Sequence, residues 1–298
     1  MIAQLNATHA LADRLFFASG PNKMPVVRIR NSHASAEIHL HGAHLTDYQR
    51  QGEKPVLWMS REAYFEASKP IRGGVPICWP WFGMPKESGE RPQHGFVRNR
   101  QWSVERTRDT EEGTEITFSI GSTPDSIALW PHRFKLTYQL TIGRSLKMEL
   151  SFQNTGDKPA EVGAALHTYF AVSDAAEIRV TGLDHRQYLD QLDGLSTKVQ
   201  VGDVTIAEEV DRIYIDTEDE CVIHDPAWNR RLRVAKEGSR STVVWNPWIE
   251  KSKRMPDFPD DGYHGMVCIE TTNAAGDTRL IQPGDTHRLM QSVTPEPA

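Results

Sequence analysis

Two short apolar runs each carry one titratable residue: His167 in Ala164-Ala165-Leu166-His167-Thr168-Tyr169-Phe170, and Glu270 in Val267-Cys268-Ile269-Glu270-Thr271-Thr272. An imidazole and a carboxyl group in apolar surroundings have pKa values free to move toward neutrality, where proton-transfer catalysts work best. The two read as a general acid and a general base. Each has a plainer reading. A histidine in an apolar strand is more often a hydrogen-bonded core residue, whereas a lone buried carboxylate is costly unless it is paired or used.

A second candidate region is rich in proline and glycine and spans residues 69–83, followed by residues 92–99. Proline fixes the backbone and glycine permits close approach, so such a stretch forms a rigid loop able to present Arg72, Gln93, His94 and Arg98 to a ligand. Trp79, Trp81 and Phe82 would supply flat apolar walls, while Trp58, Trp102, Trp130 and Trp228 read as packing residues. Guanidinium groups match phosphate oxygens through paired hydrogen bonds, so Arg72 and Arg98 could form a local anion site. The plainer alternative is that they pair with Glu62, Glu66 or Glu90.

The 298 residues, 38% hydrophobic and 25% charged, suit a globular protein with a large core. A net charge of −6 gives no global attraction to nucleic acid or to an anionic membrane, so neither is expected as a partner. The N-terminus lacks the basic start and apolar stretch of a secretory signal, and no run of about 18 apolar residues occurs, so the expected location is the cytoplasm. Cys78, Cys221 and Cys268 are odd in number and far apart, as reduced thiols would be. No spaced metal-ligand set and no GxxxxGK[ST] loop is found, and no metal is expected. No exposed apolar stripe marks a subunit interface, which leaves a monomer as the expectation.

The elements that must position these residues follow a period of two. Phe134, Leu136, Tyr138, Leu140 and Ile142 alternate with polar residues, and beyond Gly143-Arg144-Ser145 so do Leu146, Met148, Leu150 and Phe152. That predicts a long antiparallel hairpin. Shorter alternations at Ala36, Ile38 and Leu40, and at Ile116, Phe118 and Ile120, predict further strands, while helical periodicity is scarce. Many strands with one apolar face must bury those faces against each other, which predicts an all-β fold, a large antiparallel β-sandwich forming one domain over residues 1–298.

An ordered series of motifs resembles the glucose-6-phosphate 1-epimerase (hexose-6-phosphate mutarotase) branch of the aldose 1-epimerase superfamily. It comprises Gly42-Ala43-His44-Leu45, Ile71-Arg72-Gly73-Gly74-Val75-Pro76, Trp79-Pro80-Trp81-Phe82-Gly83, His94-Gly95-Phe96-Val97-Arg98-Asn99, Ala165-Leu166-His167-Thr168-Tyr169-Phe170, Val210-Asp211-Arg212-Ile213-Tyr214, Trp245-Asn246-Pro247 and Cys268-Ile269-Glu270-Thr271. The series covers nearly the whole chain. The resemblance implies a galactose mutarotase-like supersandwich and a cofactor-free interconversion of the α and β anomers of an aldohexose 6-phosphate. It further implies that Glu270 takes the proton of the anomeric hydroxyl while His167 protonates the ring oxygen. Asp211 would bind sugar hydroxyls or orient the imidazole, Arg72, Gln93 and Arg98 would meet the substrate with the arginines on phosphate, and His94 would bind without catalysing. Residues 248–254 depart from the pattern, and Lys251, Lys253 and Arg254 there read as a solvated charged turn.

Two other readings fit the residues. A non-catalytic carbohydrate-binding β-sandwich would use the aromatic residues and arginines as a platform. A glycosidase-like enzyme would use Asp211 and Glu270 as paired carboxylates, roughly 5–9.5 Å apart.

Overall fold

In the computed structural model, which describes residues 1–85 and 91–298, the period-two alternation becomes antiparallel sheet. The expected hairpin is formed by Phe134–Gly143 and Leu146–Asn154, paired from Phe134↔Asn154 to Ile142↔Leu146. Its alternating apolar residues are buried, and the hairpin lies within a nine-stranded sheet that also contains Thr286–Pro297. Facing it is an eight-stranded sheet, and one apolar core takes in Leu136, Leu150 and Leu289 from the first with Leu166, Val244 and Ile269 from the second. Each such side chain contributes about 1.5–3 kcal/mol on burial, which explains why the alternation is strict. The result is the β-sandwich expected, with a further four-stranded sheet running from Leu15–Ser19 to His44–Arg50. The α-helices are short, and no helix among the described residues is long and apolar enough to cross a membrane. Cys78, Cys221 and Cys268 are separate buried thiols.

The eight-stranded sheet runs Ser196–Val199, Gln187–Asp190, Val210–Tyr214, Ser241–Asn246, Met266–Asn273, Ala164–Leu166, Ile77–Cys78, with Tyr169–Ala171 also paired to Met266–Asn273. Ser241–Asn246 and Met266–Asn273 are buried on both faces. The apolar run around His167 is two strands, not one, broken at His167 and Thr168. Those two amides bond elsewhere: His167 N–H donates to the Pro76 carbonyl at 3.0 Å and Thr168 N–H to the Leu166 carbonyl at 3.0 Å. The break is bridged from behind by Gln291 of the facing sheet. Its Oε1 accepts from the Thr168 hydroxyl at 2.5 Å, and its Nε2 donates to the Ile269 carbonyl at 3.2 Å and the Thr271 hydroxyl at 3.0 Å.

Candidate active site

Strand register places the chemistry-bearing side chains in rows. On either side of the break Leu166 pairs with Thr271 and Tyr169 with Cys268, a common register that sets His167 opposite Glu270. On the next strand Val243 lies opposite Glu270 and Trp245 opposite Cys268, and beyond it Asp211 lies opposite Trp245. Side chains alternate between faces along a strand, so His167, Tyr169, Cys268, Glu270, Trp245 and Asp211 share the face turned away from the main core. A separate apolar cluster of Tyr169, Val243, Trp245, Phe258, Met266 and Cys268 forms their floor.

His167 and Glu270 meet there, with Nε2 3.4 Å from Oε1, and their side chains are only 9% and 1% exposed. His167 Nδ1 and Glu270 Oε2 are buried without a hydrogen-bond partner among the described residues. Burial raises the Glu270 carboxyl well above the usual carboxylate range, with the charge of Asp211 adding to the effect and Arg98 opposing it. Burial likewise pushes the His167 imidazole well below its ordinary value, helped by His94, Arg72 and Arg98. Both shifts favour a pair that holds one proton and no net charge. Imidazole with carboxylic acid, and imidazolium with carboxylate, differ only in where that proton sits.

The ring plane of His167 is fixed by stacking on Tyr169, with centroids 4.8 Å apart at 11°, and by an edge contact to Trp245 at 6.1 Å. Tyr169 OH accepts from Arg72 Nη1 at 3.0 Å, while Arg72 Nε and Nη2 each lie 3.1 Å from Asp257 Oδ2. Burial opposes the charge on Arg72, but Tyr169 and Asp257 outweigh it and hold the guanidinium above the ordinary arginine value. The loop bearing Arg72 depends on Gly74, whose φ is 59° and whose Cβ, if present, would lie 2.2 Å from the Leu45 carbonyl oxygen. His44 Nε2 and the Gly73 carbonyl, 2.7 Å apart, brace the same turn.

His94 is placed edge-on to His167 at 5.7 Å and packs against Phe82 at 4.9 Å. Its Nδ1 accepts from Gly83 N–H at 3.1 Å, so the neutral ring carries its proton on Nε2. Burial, with Arg98 and Arg72, holds its pKa down at about 3. Arg98 donates from Nη2 to the Gln93 carbonyl at 2.8 Å, while its buried Nε has no partner among the described residues. Gln93 thus meets Arg98 through its main chain, and the residue itself is exposed. Asp211 accepts from Gln191 Nε2, and its Oδ2 lies 3.6 Å from Lys251 Nζ. Burial raises its carboxyl above the ordinary range, with Lys251 opposing. Among the described residues the side-chain contacts of Asp211 are Gln191 and Lys251.

Several expectations need correction. Trp79 is no site wall: it is 1% exposed and packs on Phe96, Trp130 and Phe134 in the core. Trp58 is a packing residue as expected, stacked on Tyr169 at 5.9 Å and tilted against Phe258 at 4.8 Å. The charged stretch after Pro247 is not a solvated turn throughout, because Trp248–Ser252 is a helix that carries Lys251 to 3.0 Å from Glu209 and 5.7 Å from the Trp245 ring centre. Arg72 pairs with Asp257; Glu66 instead pairs with Lys69 and Glu62 with Arg61, and Glu90 lies outside the described residues. Asp257 had no motif signal, since its partner Arg72 is 185 residues away in the chain, and Lys251 was legible only as part of a charged turn, not as a neighbour of Asp211. Nor did ligand spacing reveal that the donor atoms of His167, Cys268 and Glu270 all lie within 4.8 Å of one another.

The chain matches the aldose 1-epimerase family over residues 25–294. It is 34% identical, over 91% of its own length and 90% of the other, to a protein of Escherichia coli (strain K12) that carries the provisional name glucose-6-phosphate 1-epimerase. The crystal structure of a protein provisionally named a mutarotase, from Salmonella typhimurium, superposes with a TM-score of 0.90 at 32% identity over 100% of both chains. The structure of a galactose mutarotase related enzyme from Lactobacillus acidophilus shares the fold, with a TM-score of 0.73 at 16% identity over 91% of this chain and 97% of that one.

Proposed function

The chain belongs to the aldose 1-epimerase family, and from that premise we propose that it interconverts the α and β anomers of D-glucose 6-phosphate or a related aldohexose 6-phosphate. Glu270, as carboxylate, takes the proton of the C1 hydroxyl, and His167, as imidazolium, delivers a proton from Nε2 to the ring oxygen. The C1–O5 bond breaks and C1 becomes the free aldehyde. Rotation about C1–C2 presents the other carbonyl face, and the proton transfers run in reverse as the ring closes. Each positioned proton-transfer group typically adds about 10²–10⁴-fold to the rate.

One observation carries this reading: His167 Nε2 and Glu270 Oε1 face each other across 3.4 Å on a buried sheet face. A pair that holds one proton can deliver it at one oxygen while accepting one at another, so each half-reaction leaves it ready for the return. Arg72, 23% exposed and fully charged, is the group we assign to the phosphate, with Arg98 as a second cation. Asp211 and the Nε2–H of His94 are assigned to sugar hydroxyls, and Gln93 to the rim. A binding module would gain nothing from a buried acid–base pair. No cofactor enters this scheme, and we propose that the protein acts as a cytoplasmic monomer on a metabolite whose charge keeps it from crossing membranes.

The test is magnetisation-exchange NMR on glucose 6-phosphate. Glu270→Gln and His167→Ala should each lower the exchange rate by about 10²-fold or more while circular dichroism and thermal midpoint report an intact fold. Wild-type exchange no faster than the buffer rate would reject the function, and unimpaired variants would reject the residue assignment.

A further inference from the structure

Cys268 plays no part in the proton transfers, yet its register puts it on the same face as Glu270 and directly across from Tyr169. Cys268 and Glu270 are two residues apart on one strand, so both side chains point to the same side. His167, in the break between the two neighbouring strands, lies opposite Glu270. The imidazole nitrogen, thiol sulfur and carboxylate oxygen of these three buried residues are all within 4.8 Å of one another.

Zinc binds thiolate at about 2.3 Å and imidazole nitrogen or carboxylate oxygen at about 2.0–2.2 Å, so tetrahedral donors lie about 3.3–3.8 Å apart. One edge of the set, 3.4 Å between His167 and Glu270, already has that length. Side-chain rotations that draw the remaining donors in by about 1 Å or less would complete the geometry. Three protein ligands leave a fourth position open, and a thiolate with an imidazole selects a soft divalent ion over magnesium or calcium. Charge favours the same ion. With the Cys268 proton and that of the His167–Glu270 pair displaced to solvent, one thiolate and one carboxylate balance the divalent charge, against burial, which pushes the Cys268 thiol well above its ordinary value, and against nearby Arg72 and Arg98.

We propose that His167, Cys268 and Glu270 form a binding site for one zinc ion, and that zinc bound there excludes the sugar and inhibits the enzyme. Buried Glu270 Oε2 has no hydrogen-bond partner among the described residues, so the carboxyl keeps an uncommitted oxygen. His167 Nδ1 also lacks a partner there, and a metal-ligating histidine without an orienting hydrogen bond typically binds about 10–100-fold more weakly. The site is therefore a reversible inhibitory one, not a permanent structural centre. Occupancy removes both proton-transfer groups at once, because each becomes a ligand.

The chelator-treated protein is titrated with zinc against a chromophoric chelator, and separately with cobalt(II) while its absorption spectrum is followed. Wild type should bind one zinc per chain, and its cobalt form should show a near-ultraviolet thiolate-to-cobalt band. Cys268→Ser should lose more than about 100-fold in zinc affinity, beyond the usual effect of removing an outer-shell partner. Zinc should slow exchange in wild type, with reversal by chelator, and leave Cys268→Ser at its own zinc-free rate. Equal zinc affinity in the two proteins, or a cobalt spectrum without the thiolate band, overturns the proposal. Should Cys268→Ser fail to fold, the wild-type cobalt spectrum decides alone. Binding is read from the metal itself, so the outcome is independent of whether the sugar carries a phosphate.

Discussion

Replacing Gln291 by Leu tests whether the candidate pair is held in place from behind. The glutamine is 0% exposed and makes three hydrogen bonds across the sandwich, to the Thr168 hydroxyl, the Ile269 carbonyl and the Thr271 hydroxyl. Leucine fills much of the same volume and satisfies none of them. A buried polar group left without its partner costs about 1–3 kcal/mol. The Thr168 hydroxyl retains a long contact to the Leu166 carbonyl at 3.5 Å, so part of its loss is recovered. A net destabilisation of about 2–5 kcal/mol follows, a large share of the roughly 5–15 kcal/mol by which domains are stable. Thr168 adjoins His167 and Thr271 adjoins Glu270, so relaxation of the bridge moves both, and a displacement of about 1 Å can lower a rate about 100-fold. Urea unfolding gives the first quantity and anomer-exchange NMR the second. A stability loss below about 0.5 kcal/mol together with unchanged exchange would refute the bridging role.

Arg72→Ala should lower kcat/KM for glucose 6-phosphate about 10–100-fold more than for free glucose, the size of a lost charge-assisted contact. Both substrates will suffer from the Asp257 and Tyr169 partners left behind, so only the difference is diagnostic, and equal losses would remove the phosphate assignment. Exchange should also be bell-shaped in pH. Below neutrality the pair gains a second proton, delayed because His167 is shifted down; at higher pH it loses its only one, delayed because Glu270 is shifted up. A flat profile between about pH 5 and 9 would contradict the shared-proton pair unless product release is limiting. Gly95→Ala places a Cβ 1.8 Å from the Trp79 carbonyl oxygen at a φ of 74°, and should lower stability by about 1–3 kcal/mol and disturb His94. An unchanged thermal midpoint would show that the loop relaxes freely.

What the sequence disclosed was what local pattern records. The hairpin of Phe134–Gly143 and Leu146–Asn154 was legible because each turn of the pleat repeats the same apolar choice over many residues. His167 and Glu270 stood out because a titratable group in an apolar run violates that choice. The break at His167 and Thr168 was hidden, since the run stays apolar through it and only tertiary partners, Pro76 and Gln291, stop the ladder. Trp79 was misplaced because a Pro- and Gly-rich loop need not put every aromatic on the surface, and here it sends one inward. Asp257 and Lys251 could not be read, because what matters in each is a partner far away along the chain: Arg72 for the first, Asp211 for the second.

His167 hangs by its amide from Pro76, and Pro76 is in the same glycine-hinged turn as Arg72. The group assigned to the phosphate and the group assigned to the ring oxygen are therefore fastened to one rigid bracket. A substitution that unseats Gly74, where a Cβ would lie 2.2 Å from the Leu45 carbonyl oxygen, would therefore displace both groups together and not one alone.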